Sequence, residues 1–462
     1  MPRLSGVPAL AAAGLTLALG LGLVPGLLPG GATALAGADD PVPVVTWWAC
    51  PAPEVPGVPE GPEDPEDTEC GTVEVPLDYD DPTGPTLTLD LVRVPASDPD
   101  LRIGTLFVNP GGPGAPATSF AAQFGHLVPR VLSQRFDVVG IDPRGVGPSA
   151  LATCRDPDPR PRAPRAAFPT SQREVRAWIA ADRWWRQACR HDPEPVVDHL
   201  STADTARDMD LVRRALGEDL LTYYGISYGT QLGSTYAAMF PGTIRAMILD
   251  GVLDPVSWST GRPGQGHLPF STRVGSHRGS WQALRAALAD CDAAGPRRCA
   301  IAGDALGVWR DVARRLERAP FQGVRYSDLI GMAAGSLYDP RSIRWLMRRV
   351  GALHEAMHGG DERVRPRVWR RAAPSRGPLP GPVPGPYAGY GRTTNPFAAI
   401  ACADSDNPSD PRRWVGAGRR ADGQAPGFGS LWTWMSSACA GWPQRAKEDR
   451  FTGPYAVTPS AP

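Results

Sequence analysis

Between residues 104 and 251, short apolar runs alternate with stretches of helical period, and this alternation narrows the fold more than anything else in the chain. GTLFVNP (104–110), FDVVGID (136–142) and LTYYG (221–225) are too short for helices and lack polar alternation, the pattern of strands buried on both faces. RAMILDG (245–251) reads as a further strand. Between them, TADTARDMDLVRRALGE (202–218) places Met209, Val212 and Leu216 on one helical face and stops at Gly217. The segment after LTYYG sets Leu232, Thr235, Tyr236 and Met239 at helical spacing until Pro241-Gly242 ends it. Strand, helix, strand in repetition implies an α/β fold with a mostly parallel sheet and helices on both faces. TVEVPL (72–77) and TLTLDLVRV (86–94) precede it as two more strands, the second alternating as a half-exposed strand does.

The pattern changes near Asp254-Pro255. From about 256 to 380 strand-like runs disappear and Arg-rich helical stretches take over, which reads as a helical cap inserted over the sheet's carboxyl edge. PSRGPLPGPVPGPYAGYG (374–391) reads as a stiff linker. The expected division is a leader over 1–36, a core over 37–255, a cap with linker over 256–395, and a return segment over 396–462. A chain of 462 residues, 42% apolar, can bury cores for all of this.

The leader follows from Arg3, an uncharged apolar stretch, and the small residues of Ala34-Leu35-Ala36 before the first acids at Asp39 and Asp40, the three-part layout of a secretory signal peptide. Export is therefore expected, with no membrane attachment after cleavage. An oxidising destination makes sense of eight cysteines, whose spacing suggests four local pairs: Cys50–Cys70, Cys154–Cys189, Cys291–Cys299 and Cys402–Cys439. Forty-eight basic and 48 acidic residues cancel, so charge points to no nucleic-acid or membrane-surface partner.

The chemistry gathers at YYGISYGTQLG (223–233), a G-x-S-x-G turn at Gly225, Ser227 and Gly229 with a buried strand before it and a helix after. A turn this tight excludes side chains beside the serine and pushes its hydroxyl outward, the presentation a nucleophile needs. A second loop, VNPGGPGAP (108–116), follows another buried strand. Acyl transfer requires N–H donors aimed at the developing oxyanion, and Pro110 and Pro113 have none to give. The candidates are the amides of Gly112 and Tyr228, with Gly111 as a further donor. In FDVVGIDPRGVGPS (136–149), Asp142 and Arg144 read as braces for the neighbouring loop.

These motifs, with WWAC (47–50), CGTVEVPLDYDDPTG (70–84), the stretch from STADTARDMD through SYGTQLGSTYAAMFP to LDGVLDP, and CAGWP (439–443), resemble the secreted bacterial tripeptidyl aminopeptidases, in the prolyl-iminopeptidase branch of α/β-hydrolases. The resemblance runs from about Trp47 to Tyr455. It implies an α/β-hydrolase fold and a serine exopeptidase releasing short peptides, tripeptides, from free amino termini, with Ser227 as nucleophile and Gly112 and Tyr228 as oxyanion donors. It implies a peptide substrate and no cofactor, and we expect a monomer.

The resemblance also places the triad acid and histidine beyond CAGWP on two further strands, and no histidine follows His358. The final core strands are therefore expected to be missing and turnover to be low. Asp250, at the end of the strand after the nucleophile helix, is the alternative acid, and Asp404 a weaker one. His267, His277, His354 and His358 fall in the cap and read as surface or packing residues. HEAMH (354–358) matches the zinc motif H-E-x-x-H, but no third ligand follows it at a plausible distance, so no metal is expected. Two other readings stay open: a non-catalytic peptide-binding relative, and an esterase on the same fold.

Overall fold

Strands that begin as an antiparallel meander and continue as parallel crossovers form one mixed sheet. The computed structural model describes residues 42–50, 68–147, 150–155, 161, 166–359, 395–443 and 445–456. The leader over 1–36 and the linker stretch 374–391 lie outside the described residues. The strands are β1 (Thr46–Ala49), β2 (Glu69–Pro76), β3 (Thr86–Val94), β4 (Gly104–Asn109), β5 (Phe136–Ile141), β6 (Cys154–Arg155), β7 (Asp192–Pro193), β8 (Leu221–Ile226) and β9 (Ile244–Asp250). Seven of them form the sheet in the order β1-β2-β3-β5-β4-β8-β9, and β6 and β7 pair separately. The ladders from β1 to β5 are antiparallel, whereas those of β4 with β5 and β8, and of β8 with β9, are parallel.

The central strands are apolar without interruption because each face has its own cover. Helices α1 (Ala117–Phe124) and α2 (Arg130–Ser133) follow β4; Leu106, Val108 and Val138 pack with Phe120 and Ala121 of α1 on one side. On the other, Phe107 and Val139 meet Met209 of α4 (Thr202–Ala215) and Leu232 and Tyr236 of α5 (Tyr228–Met239). Between these lies α3 (Gln172–His191), opened by a Ser171/Glu174 capping box. At the far side, β9 pairs with β8 alone among the described residues, and Ala246, Ile248 and Asp250 are exposed along it.

After β9 come α6 (Pro255–Trp258), α7 (Phe270–Val274), α8 (Ser276–Ala294), α9 (Ala305–Arg318), α10 (Tyr326–Ser336) and α11 (Pro340–Met357), then α12 (Pro396–Asp404), α13 (Arg413–Asp422) and α14 (Phe428–Trp434). The apolar core of this helical layer extends beyond residues 256–395: it takes in Trp178 from α3, Trp414 from α13, and Phe428 and Trp434 from α14. Trp178 and Trp434 meet edge to face, centroids 5.7 Å apart. The physical reason is that α3 has two apolar stretches. Trp178 serves the helical layer, while Trp184, Trp185 and Cys189 join a second cluster with α12 and Tyr228.

Four disulfides close the local pairs Cys50–Cys70, Cys154–Cys189, Cys291–Cys299 and Cys402–Cys439, as the cysteine spacing suggests. Among the described residues, no helix is long and apolar enough to cross a membrane.

Candidate active site

Ser227 occupies the single residue between β8 and α5, half-buried, with φ 56° and ψ −119°. A side chain in that region costs on the order of 1–3 kcal/mol, so the surroundings must hold it there. They do so through the backbone: the Ser227 N–H donates to Asp250 O at 2.8 Å, and the Ser227 carbonyl accepts from Thr230 N–H at 2.9 Å and from the Thr230 hydroxyl at 2.6 Å. The glycines of the motif are needed for close approach. A Cβ on Gly229 would lie 2.7 Å from Asn109 O, and one on Gly225 would lie 2.5 Å from Gly229 O.

The glycine loop runs directly against this turn. Gly111, at φ 89°, has its Cβ position 2.8 Å from Tyr228 N and 3.0 Å from Ser227 Cβ. Its amide, expected as an oxyanion donor, instead donates to Asn109 Oδ1 at 2.9 Å, so that side chain has already taken it up. Tyr228, as the first residue of α5, carries one of the amides that a helix leaves without an internal partner. The loop's far end rests on α12, with Pro396 and Phe397 closing on Gly114.

Behind Tyr228 sits a buried polar chain that sequence reasoning missed. Its phenol is 2.6 Å from Thr202 Oγ1, and Asp404 accepts from the Thr202 N–H at 2.7 Å, from the Thr202 hydroxyl, and from Trp258 Nε1–H at 3.2 Å. Asp404 is thus tied into the packing behind the turn. The disulfide of Cys402, two residues earlier, anchors its helix. No local pattern in the sequence points to it, since Thr202 and Asp404 are 202 residues apart.

The other candidates disperse. Asp250 is exposed and accepts from Tyr224 OH at 3.2 Å. His199 Nδ1 lies 3.2 Å from Asp449, His354 and His358 face Asp311, and His277 is buried in α8. Among the described residues no histidine or carboxylate is hydrogen-bonded to the Ser227 hydroxyl. Asp142 accepts from the Thr118 N–H at 2.9 Å and from its hydroxyl at 3.1 Å, fixing the start of α1 just past the glycine loop. Arg144 is fully buried on Asp208.

Burial pushes the carboxyls of Asp142 and Asp404 each up to about 6. In the unfolded chain they titrate near 4, so over that interval the folded state binds more protons. Their contribution is full below about pH 4 and is lost as pH rises through about 6. The thermal midpoint is therefore expected to fall across that window, and the slope to flatten in Asp142→Asn and in Asp404→Asn, read by thermal unfolding at several pH values.

Residues 104–273 match the family model described as alpha/beta hydrolase fold. Carboxylesterase B of Mycobacterium tuberculosis is 32% identical over 459 residues, covering 92% of this chain and 81% of that protein. The chain belongs to the α/β-hydrolase family. Serine protease Hip1 of the same organism is 29% identical over 404 residues, 81% of this chain and 71% of that protein. The tripeptidyl aminopeptidase of Streptomyces lividans is 39% identical over 191 residues, 40% of this chain; the match spans 36% of that aminopeptidase's length. The relatives of this α/β-hydrolase are thus named as an esterase, a serine protease and an aminopeptidase.

Proposed function

We propose that this α/β-hydrolase is a secreted serine exopeptidase that releases short peptides from free amino termini, with Ser227 as nucleophile and the amides of Gly112 and Tyr228 as oxyanion donors. The observation that carries the reading is the Ser227 backbone, held at φ 56° between a strand and a helix with the glycine loop packed on it. A relative named tripeptidyl aminopeptidase supports the substrate class, and four disulfides favour an oxidising compartment. The helical layer acts as a cap that limits the length of peptide admitted.

Ser227 Oγ would attack a carbonyl carbon beside it, breaking the C=O π bond so that the oxyanion turns toward the two amides, with the hydroxyl proton passing to solvent water. Among the described residues no histidine is hydrogen-bonded to Ser227, and His199, His354 and His358 face other carboxylates, so turnover by the chain is expected to be slow, leaving mainly the contribution of oxyanion stabilisation and binding. The test compares release from tripeptide anilides with a free amino terminus and from their acetylated forms. Preference for the free amine, lost in Ser227→Ala, is the expected result; hydrolysis untouched by Ser227→Ala would refute it. The second reading, an esterase, is favoured by the relative named Carboxylesterase B, which covers 92% of this chain. Faster Ser227-dependent cleavage of short acyl esters than of any peptide would decide for it.

A further inference from the structure

Helices α9 and α11 lie together in the helical layer, where Trp309, Val312 and Leu316 of one and Leu346, Val350 and Leu353 of the other share its core. That packing fixes the backbone on which three polar side chains meet. His354, in the last turn of α11, and His358, the residue that caps its carboxyl end, have ring centroids 4.5 Å apart. Asp311 of α9 faces both: its Oδ2 is 2.8 Å from His358 Nε2 and 3.7 Å from His354 Nε2. All three atoms lie within 4.8 Å of one another. An ion held tetrahedrally at about 2.0–2.1 Å from each ligand requires its ligands about 3.3–3.4 Å apart, between the two measured separations.

We propose that Asp311, His354 and His358 form a binding site for a zinc-type divalent transition ion, with water as the fourth ligand. Two imidazoles and one carboxylate suit zinc and its neighbours, whereas calcium and magnesium favour all-oxygen shells. The third ligand of the motif comes from upstream, from α9, 43 residues before His354. Glu355, which serves as the base in zinc peptidases of that motif, is exposed and outside the triad of ligands. The site is therefore a clamp between α9 and α11, with side chains partly open to solvent for the ion to enter.

The test is calorimetric titration of the tag-free, chelator-treated full chain with zinc chloride, alongside thermal unfolding. One zinc per chain is expected, with a raised unfolding midpoint that magnesium and calcium do not reproduce. Asp311→Asn, His354→Ala and His358→Ala, at partly exposed positions, are each expected to weaken binding at least about 10-fold. A second group, Asp78, His199 and Asp449, also brings three such atoms within 4.8 Å, so His199→Ala serves as the control. Zinc uptake that is absent, that survives the His354→Ala/His358→Ala double variant, or that is lost in His199→Ala overturns the proposal.

Discussion

Replacing Arg144 with methionine is expected to lower the stability of the fold by about 3–5 kcal/mol, the usual cost of removing one partner of a buried ion pair. A guanidinium has five N–H donors, and here all five are used. Nε and Nη2 form a fork on Asp208 at 2.8 and 2.7 Å; Nη2 also reaches Pro76 O at 3.0 Å, and Nη1 reaches Leu77 O at 2.9 Å and His199 O at 3.1 Å. Among the described residues, methionine would leave the buried Asp208 carboxylate only the Tyr79 hydroxyl at 2.7 Å, and three carbonyls would lose a donor. Lysine would not rescue the site, because a point ammonium cannot span the fork and the three carbonyls together. Urea unfolding measures the loss. Arg144→Met/Asp208→Leu is expected to be less destabilised than the two single changes combined, since it removes the stranded charge along with its partner.

The second large effect is expected from Gly111→Ala. The new Cβ would lie 2.3 Å from Ile226 O and 2.8 Å from Tyr228 N, at φ 89°. Both obstacles are backbone, and both belong to the turn that holds Ser227, so the clash can be relieved only by moving the loop or the turn. A stability loss of about 2–3 kcal/mol follows from strain of this kind. Any Ser227-dependent hydrolysis should fall at least about 100-fold, because displacements near 1 Å have that effect on a positioned nucleophile. Gly242→Ala, where nothing lies within 4 Å of the new atom, is the matching control and is expected to be neutral in both assays.

What could be read from the sequence was local or periodic. LTYYG and GTLFVNP announced themselves as strands because both of their faces are buried, and the turn at Ser227 because its glycines are sterically obligatory. The disulfides were legible because each joins near neighbours in the chain. The antiparallel pairing of β3 with β5 was not, since an alternating strand carries no mark of its neighbour's direction. Nor was the division of α3 between two cores, because Trp178, Ala181, Trp185 and Cys189 share one helical stripe and nothing in that stripe marks where one cluster ends and the next begins. The bonds from Asp404 to Thr202 and from Asp311 to the two histidines join segments far apart in the chain, and no spacing rule reaches that far. Gly111 was misread because a free amide and one taken by Asn109 look alike in a string of letters.

The helical layer draws its core from three separate stretches of chain, around Trp178, from α8 to α11, and around Trp414 and Trp434. A flap swings only when it hangs from a single edge. Anchored at several points, with Trp178 wedged against Trp434, this layer is not built as a flap. Any motion of the layer as a whole must break packing at all three stretches together.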